Sequence, residues 1–377
     1  MQFRDLKTQY QHLKEDIDRE VIKVMDNANF IMGSQVKELE KELAEYVGVK
    51  HCISCGNGTD ALQLTGMALD FKKGEAIFVP DFTFFASGEI VSLLGATPVF
   101  VDVDEKTFNM SPEKLEKRIT QVLEDGKFTP KAIIAVDLFG LPADFISINK
   151  IADKYGLTVI EDGAQGFGGR IKDQVACGLS SIGTTSFFPA KPLGCYGDGG
   201  AIFTDNDEWA DTIKSYRVHG KGDNKYDNVR IGLNSRLDTI QAAVLKVKLN
   251  AFREYELEAV NKVAARYTEL LKNVDGVETP LTPDGFYSSW AQYTLKVKDR
   301  EIRDSLQTTL KAQGIPSMIY YPKPMSTQLA FKEDIRYLDN LETTKELCDT
   351  VLSLPMHPYL ADEEIEKVVK TVEEFYK

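Results

Sequence analysis

The chain has 377 residues, 43% apolar and 27% charged, an ordinary soluble composition in a chain too long for one compact core, so two domains are expected. A net charge of -13 repels phosphate polymers and acidic lipid surfaces; this excludes general nucleic-acid binding and leaves any anionic ligand to a local site. No run approaches the length of a bilayer span, and MQFRDLKTQYQHLKEDIDRE lacks the apolar core of a signal peptide, so a cytoplasmic location without a membrane partner is expected.

Apolar residues recur at helical spacing over 11–28 and again over 35–47, with Gly33 and Ser34 as break and cap. The rhythm then changes to short β-branched runs: HCISC (51–55), AIFVP (76–80), TPVFVDVD (97–104), KAIIAVDLFG (131–140) and LTVIED (157–162). Helical segments such as ALQLTGMAL and ISINKIADKYG separate them. Nearly all-apolar strands alternating with helices predict an α/β fold with a mostly parallel sheet covered on both faces. Residues 237–274 contain neither Gly nor Pro and predict one long or gently bent helix bridging two domains. PDGFYSS (283–289) reads as an exposed loop. WAQYTLKV then alternates, with Ala291, Tyr293, Leu295 and Val297 on one side of a strand. REIRDSLQTTLKAQG and ADEEIEKVVKTVEEFYK are amphipathic helices, the second with Ile365, Val368, Val369, Val372 and Phe375 in its stripe. The expected division is a large α/β domain over 1–248 and a smaller α+β domain over 249–377.

Five cysteines, at 52, 55, 177, 195 and 348, are too sparse for a disulfide scaffold. Cys52 and Cys55 form C-x-x-C without a second pair at metal spacing, so a structural role and no metal are expected. CGNGTDALQL (55–64) matches G-x-G-x-x-A at Gly56, Gly58 and Ala61. It follows a strand and opens a helix, where backbone N–H groups and the helix dipole hold an anion. Thr59 is the expected N-cap, with its hydroxyl in reach of a phosphate oxygen. A dinucleotide site needs an acid at the end of the next strand, and Glu75 instead precedes that strand. A smaller phosphate ligand and a ligand-free turn both remain open at this point.

Two further features choose between them. Asp162 lies just beyond a buried strand, where ligands gather in open α/β sheets, although a lone acid there could cap the next turn. Lys191, in SFFPAKPLGCYGDGGAIF, is flanked by Phe187, Phe188, Pro189 and Pro192; Pro192 biases it away from helix, and nearby glycines permit a tight path beside a ring. A phosphate cradle, a carboxylate and a partly desolvated lysine are together what pyridoxal 5'-phosphate (PLP) requires. The amine forms a Schiff base with the aldehyde, and the carboxylate keeps the pyridine nitrogen protonated.

The ordered set FRDLKTQY, GNGTDAL, PDFTFFAS, EDGAQGFG, SFFPAKPLGCYGDGGAIF, GLNSRLDTIQAAVL and SLPMHPYL resembles, across essentially the whole chain, the sugar aminotransferases of the DegT/StrS type, within the fold-type I PLP enzymes. The resemblance implies a seven-stranded, mostly parallel sheet in the large domain and a homodimer whose subunits complete each other's sites. By position, Lys191 is the Schiff-base lysine and proton shuttle, and Asp162 the partner of the pyridine nitrogen. Gly58, Thr59, Asp60 and Ser186 meet the phosphate, Gln165 lies near the ring hydroxyl, and Phe84 stacks on the ring. Asn234 reaches the phosphate from the neighbouring subunit. Taken singly, Phe84 could be core, Ser186 could bond only to backbone, and Asn234 could cap the helix near Arg236.

A related subgroup carries histidine in place of the lysine and dehydrates its substrate, so Lys191 implies transamination. Glutamate gives its amine to PLP, and the pyridoxamine 5'-phosphate form aminates a ketone on a nucleotide-linked sugar. FFPAKPLGCYGDGGAIFT and VGVKHCISCGNGTDAL are most similar to enzymes acting at the 3-keto position of UDP-linked N-acetylglucosaminuronic acid, on the way to surface polysaccharide. Arg236 is the candidate for a uronate or glutamate carboxylate, with an ion pair to Asp238 as its alternative. YYPKP (320–324) stands where relatives show His-Tyr-Pro, which makes Tyr320 and Tyr321 substrate candidates; the change at 320 keeps a 4-keto-6-deoxy or 3-keto-6-deoxy sugar nucleotide open. His219 is either pocket-lining or on a surface loop. The competing classes are an NAD-binding sugar-modifying enzyme and a non-catalytic PLP-fold protein.

Overall fold

The computed structural model describes residues 1–224, 226–332 and 337–377. Its helices in chain order are α1 (Leu6–Asn27), α2 (Ser34–Val47), α3 (Gly58–Ala68), α4 (Ala86–Leu93), α5 (Pro112–Asp125), α6 (Phe145–Tyr155), α7 (Asp207–Tyr216), α8 (Thr239–Ala251), α9 (Leu257–Leu271), α10 (Arg300–Ala312), α11 (Glu342–Thr350) and α12 (Asp362–Phe375). The strands are β1 (His51–Cys55), β2 (Glu75–Pro80), β3 (Thr97–Val101), β4 (Thr129–Val136), β5 (Thr158–Asp162), β6 (Arg170–Ile171), β7 (Gln174–Val175), β8 (Ile182–Ser186), β9 (Gly200–Thr204), β10 (Val277–Glu278), β11 (Phe286–Tyr287), β12 (Tyr293–Val297) and β13 (Val351–Leu354).

Seven strands form one sheet in the order β1-β9-β8-β5-β4-β2-β3. Only β9 runs against its neighbours β1 and β8; the other pairs are parallel. This is the mostly parallel, seven-stranded α/β architecture expected of a fold-type I PLP enzyme. Alternation along each strand supplies both faces. Ile77 and Val79 of β2 join Leu62, Ile90 and Ile213 in one core, whereas Phe78 faces Leu115, Ile119 and Ile148 in the other. Since β1, β2, β5 and β8 all run the same way, Cys55, Pro80, Asp162 and Ser186, their last residues, lie along one edge of the sheet. Ligands of open α/β sheets bind at that edge.

Several boundaries differ from the sequence reading. α1 begins at Leu6, not near residue 11, because Asp5 caps it by accepting from the Thr8 N–H at 2.9 Å. β3 stops at Val101, with Val103 in an isolated bridge to Met110, and β4 stops at Val136 before a 3-10 turn over Leu138–Gly140. PDGFYSS is not an exposed loop: Phe286–Tyr287 pairs with β6 in a small sheet, and Ser288 and Ser289 are buried. Its polar composition misleads because Ser289 finds partners inside, donating from Oγ to the Gln165 carbonyl at 3.1 Å and from N to that of Gly140 at 2.9 Å.

The helix expected over 237–274 starts at Thr239, after the N-cap Asp238, and ends at Leu271. It is continuous but not uniform, since a π-turn over Phe252–Glu256 joins α8 to α9. Such a turn accommodates one extra residue. Here it seats Phe252 against Gly168, where an added Cβ would come within 2.5 Å of the Phe252 ring at a backbone φ of +91°. Beyond it, β10, β12 and β13 form an antiparallel sheet in that order. The predicted stripe of α12 is buried at Ile365, Val368, Val369 and Val372, with Phe375 packed at its margin. All five cysteines are buried and free, and burial raises the Cys55 thiol to about 12. Among the described residues no helix is long and apolar enough to cross a membrane.

Candidate active site

The loop after β1 crosses directly onto the sheet edge. Its N-cap is Asn57 rather than Thr59: Asn57 is extended, and its side chain accepts the Asp60 N–H at 2.8 Å. Thr59 already lies inside the helix, where the cap geometry is no longer available. Gly58 packs so tightly that an added Cβ would sit 2.7 Å from Ser186 Cβ. Among the described residues the Gly58 and Thr59 amides have no acceptor, leaving two donors at the positive end of α3 beside the Ser186 hydroxyl. Ser186 Oγ accepts the Phe188 N–H at 3.2 Å and keeps its own proton to donate. Asp60 turns its carboxylate to Ser235, whose hydroxyl donates at 2.6 Å while accepting the Gly56 N–H at 2.9 Å.

A second group forms at the ends of β5 and β8. Asp162 is buried, accepting the Ser87 hydroxyl at 2.7 Å and the Ala164 N–H at 3.2 Å. Burial raises its pKa; these two hydrogen bonds and the charge of Lys191 oppose the rise. Desolvation pulls the Lys191 amine down to about 8, with Asp162 opposing and the Arg4 guanidinium adding to the fall. Gln165 is fixed from both ends, accepting from Phe139 N at 2.8 Å and donating to the Tyr321 hydroxyl at 3.0 Å. Burial is the main reason that the Tyr321 phenol stays protonated well above its usual range. Phe84 is 56% exposed, which rules out its core alternative, and its ring lies 6.4 Å from that of Tyr321.

The remaining candidates sit around these groups. Tyr320 packs edgewise on Phe3 and Tyr321. Arg236 is half-buried and, among the described residues, forms no ion pair with Asp238, so that alternative falls. Asn234 is exposed, bridges Val218 through its backbone, and does not cap α8. His219 is exposed on a turn at φ +59°.

Sequence reasoning missed a buried acid pair behind Asp162. Glu161 accepts the N–H groups of Cys177 and Leu179, and Asp137 accepts that of Ala143 at 3.1 Å. Burial raises both, Glu161 to about 7 and Asp137 well above its usual range, and each acts on the other. Acids ending or following adjacent apolar strands were the available signal.

PLP presents a phosphate at one end and a basic ring nitrogen at the other. This sheet edge offers unspent donors for the first, a buried acid for the second, and an amine near 8 coupled to that acid. The fit defines the class, a PLP-dependent transferase of fold type I.

Within that class the assignment is specific. The family model for the DegT/DnrJ/EryC1/StrS aminotransferase family matches residues 11–373, and the chain belongs to this family. It is 47% identical to a Pseudomonas aeruginosa protein named UDP-2-acetamido-2-deoxy-3-oxo-D-glucuronate aminotransferase over 360 residues, 96% of either chain. A crystal structure of a DegT/DnrJ/EryC1/StrS aminotransferase from Brucella abortus superposes with TM-score 0.96 at 48% identity, covering 100% of this chain and 99% of that one. A Bacillus subtilis structure with bound pyridoxamine phosphate reaches TM-score 0.88 at 28% identity, over 99% and 83%. The protein is a PLP-dependent sugar aminotransferase.

Proposed function

We propose that the protein transfers an amino group from L-glutamate to the 3-keto carbon of UDP-linked N-acetylglucosaminuronic acid. The observation that carries this reading is the 47% identity over 96% of the chain to the Pseudomonas relative bearing that name. Arg236 supports it: a half-buried guanidinium without an ion-pair partner among the described residues suits a carboxylate bound in two-pronged fashion. The reading places the enzyme in the cytoplasm, supplying a diamino sugar for bacterial surface polysaccharide.

Gly58, Thr59 and Ser186 would hold the cofactor phosphate, Asp162 would hold a proton on the ring nitrogen, and Phe84 would cover the ring face. When bound, PLP supplies an aldehyde that takes up the amine and a conjugated ring that accepts electron density from the neighbouring carbon. Lys191, with its amine near 8, has both protonation states populated around neutral pH and can take and return a proton at Nζ. Tyr321, held by Gln165, would position the sugar.

Two subunits enter this reading because Asn234 is exposed and makes no side-chain hydrogen bond among the described residues. A second copy would receive it. The exposed apolar residues Ile22, Met25, Phe30, Ile31 and Ile231 support such a dimer.

Borohydride reduction of the PLP-loaded protein followed by peptide mapping should place the cofactor on Lys191; an adduct elsewhere ends this assignment. Tyr320, standing where relatives have histidine, favours the 4-keto-6-deoxy or 3-keto-6-deoxy alternative. To decide, protein loaded with pyridoxamine phosphate is offered each keto-sugar nucleotide and the return of PLP absorbance is followed. Recovery only with 6-deoxy sugars would exclude the uronate.

A further inference from the structure

The loop carrying Lys191 is tightly folded. The Lys191 N–H donates to the Phe188 carbonyl at 2.9 Å and the Cys195 N–H to that of Phe187 at 2.8 Å. An added Cβ at Gly194 would lie 2.5 Å from the Pro189 oxygen. This folding satisfies the amides but leaves the carbonyls of Lys191 and Pro192 pointing out of the turn. Among the described residues one group reaches them, the Arg4 guanidinium, donating through Nη2 at 2.9 Å to Lys191 O and at 3.4 Å to Pro192 O.

A desolvated arginine ordinarily pairs with a carboxylate. Glu256 is the acid that acts on Arg4, yet it is occupied: Gln9 donates to it at 2.8 and 3.1 Å and Tyr359 at 2.6 Å. Arg4 forms no ion pair among the described residues. Its neighbours hold it from other sides, since the Phe3 carbonyl accepts the Met356 N–H at 3.1 Å and the Phe3 ring meets Tyr320. The short segment before α1 thus touches the lysine loop, the segment after β13 and a substrate candidate together.

We propose that Arg4 is a positioning residue: its guanidinium grips the backbone of the Lys191 turn and sets a positive charge beside the lysine amine. This rests on Lys191 being the reacting lysine. The charged groups in this neighbourhood are Asp162 and Arg4 acting on Lys191, and Glu256, Lys248 and His357 coupled to Arg4. Asp162 favours the protonated amine, and Arg4 opposes it. Desolvation and Arg4 act in the same direction, so removing Arg4 makes the amine more basic.

The two parts, grip and charge, separate in PLP-free protein. Arg4→Met keeps the apolar stem and loses both; Arg4→Lys keeps the charge but replaces the planar fork with a point donor. Lys191 reactivity toward an amine-labelling reagent is measured against pH by peptide mapping, with exposed Lys72 as internal reference. Amide exchange is followed at Lys191 and Cys195. In Arg4→Met the Lys191 titration should rise by about one pH unit, which lowers labelling at pH 8 roughly fivefold. In Arg4→Lys the titration should stay at its wild-type position while exchange at Lys191 and Cys195 quickens by at least about threefold, confined to that turn. An unmoved titration in a folded Arg4→Met protein overturns the proposal. So does wild-type exchange in Arg4→Lys, a measurement that stands even if Arg4→Met does not fold. Borohydride mapping to another residue would instead defeat the assignment of Lys191, whereas the labelling and exchange results bear on Arg4 alone.

Discussion

Gly58 shows how much one hydrogen atom decides. Its place against Ser186 is what brings the open amides of α3 to the edge of the sheet, so Gly58→Ala must push the helix start away. The expected cost is about 1–3 kcal/mol of stability, with a fall of at least about tenfold in PLP affinity measured by equilibrium dialysis. The acid pair makes a different prediction. Glu161 and Asp137 have folded pKa values above their unfolded ones, so the native state binds more protons between about pH 4 and 7 and stability falls as pH rises through that window. Asp137→Asn is neutral throughout and keeps the oxygen that accepts from Ala143. Urea titrations should therefore find it close to wild type at pH 5 and as stable or more so at pH 8; parallel curves would refute the shared-proton account. At this scale Lys191 and Asp162 were legible because each announces itself within a few neighbouring residues. Arg4 was not, because its meaning depends on carbonyls 187 and 188 positions away, and Thr59 was mistaken for the cap because Asn57 competes for that role two residues earlier.

Among elements, the strand ends matter most. Asp81, just past β2, accepts the Ser326 N–H at 2.6 Å and its hydroxyl at 3.0 Å, tying the segment after Tyr321 to the loop that carries Phe84. Asp81→Ala leaves both buried donors unmatched; a loss of about 2–4 kcal/mol is expected, with faster proteolysis after Lys323 as the local readout. Strands β1, β2 and β5 could be read almost to the residue because their side chains are buried on both faces and so uniformly apolar. The pairing of β11 could not, because two residues carry no periodicity and their partner β6 lies far earlier in the chain. The π-turn was equally silent, since a single inserted residue leaves an apolar stripe looking merely bent.

For the whole molecule, the parallel sheet followed from alternating segments, whereas the reversed direction of β9 depends on distant pairing that no local pattern encodes. The dimer reading has a test at this scale. Mixed dimers of Lys191→Ala and Asn234→Ala subunits gather both lesions in one site and leave the other intact. Refolding the two together, at low PLP, should restore about a quarter of wild-type activity if subunits pair at random. Asn234 acting within its own chain predicts no such recovery.

The π-turn between α8 and α9 also behaves as a joint whose setting is counted in whole residues. Removing one residue from Phe252–Glu256 would let the segment wind as ordinary helix, rotating everything that follows by about 100°. Leu257, Val260, Val263, Ala264, Tyr267 and Leu271, now buried, would swing away from the sheet they cover. A deletion there would therefore act as a twist applied to a third of the protein rather than as a missing contact, and a compensating insertion a turn later could restore what no point substitution would.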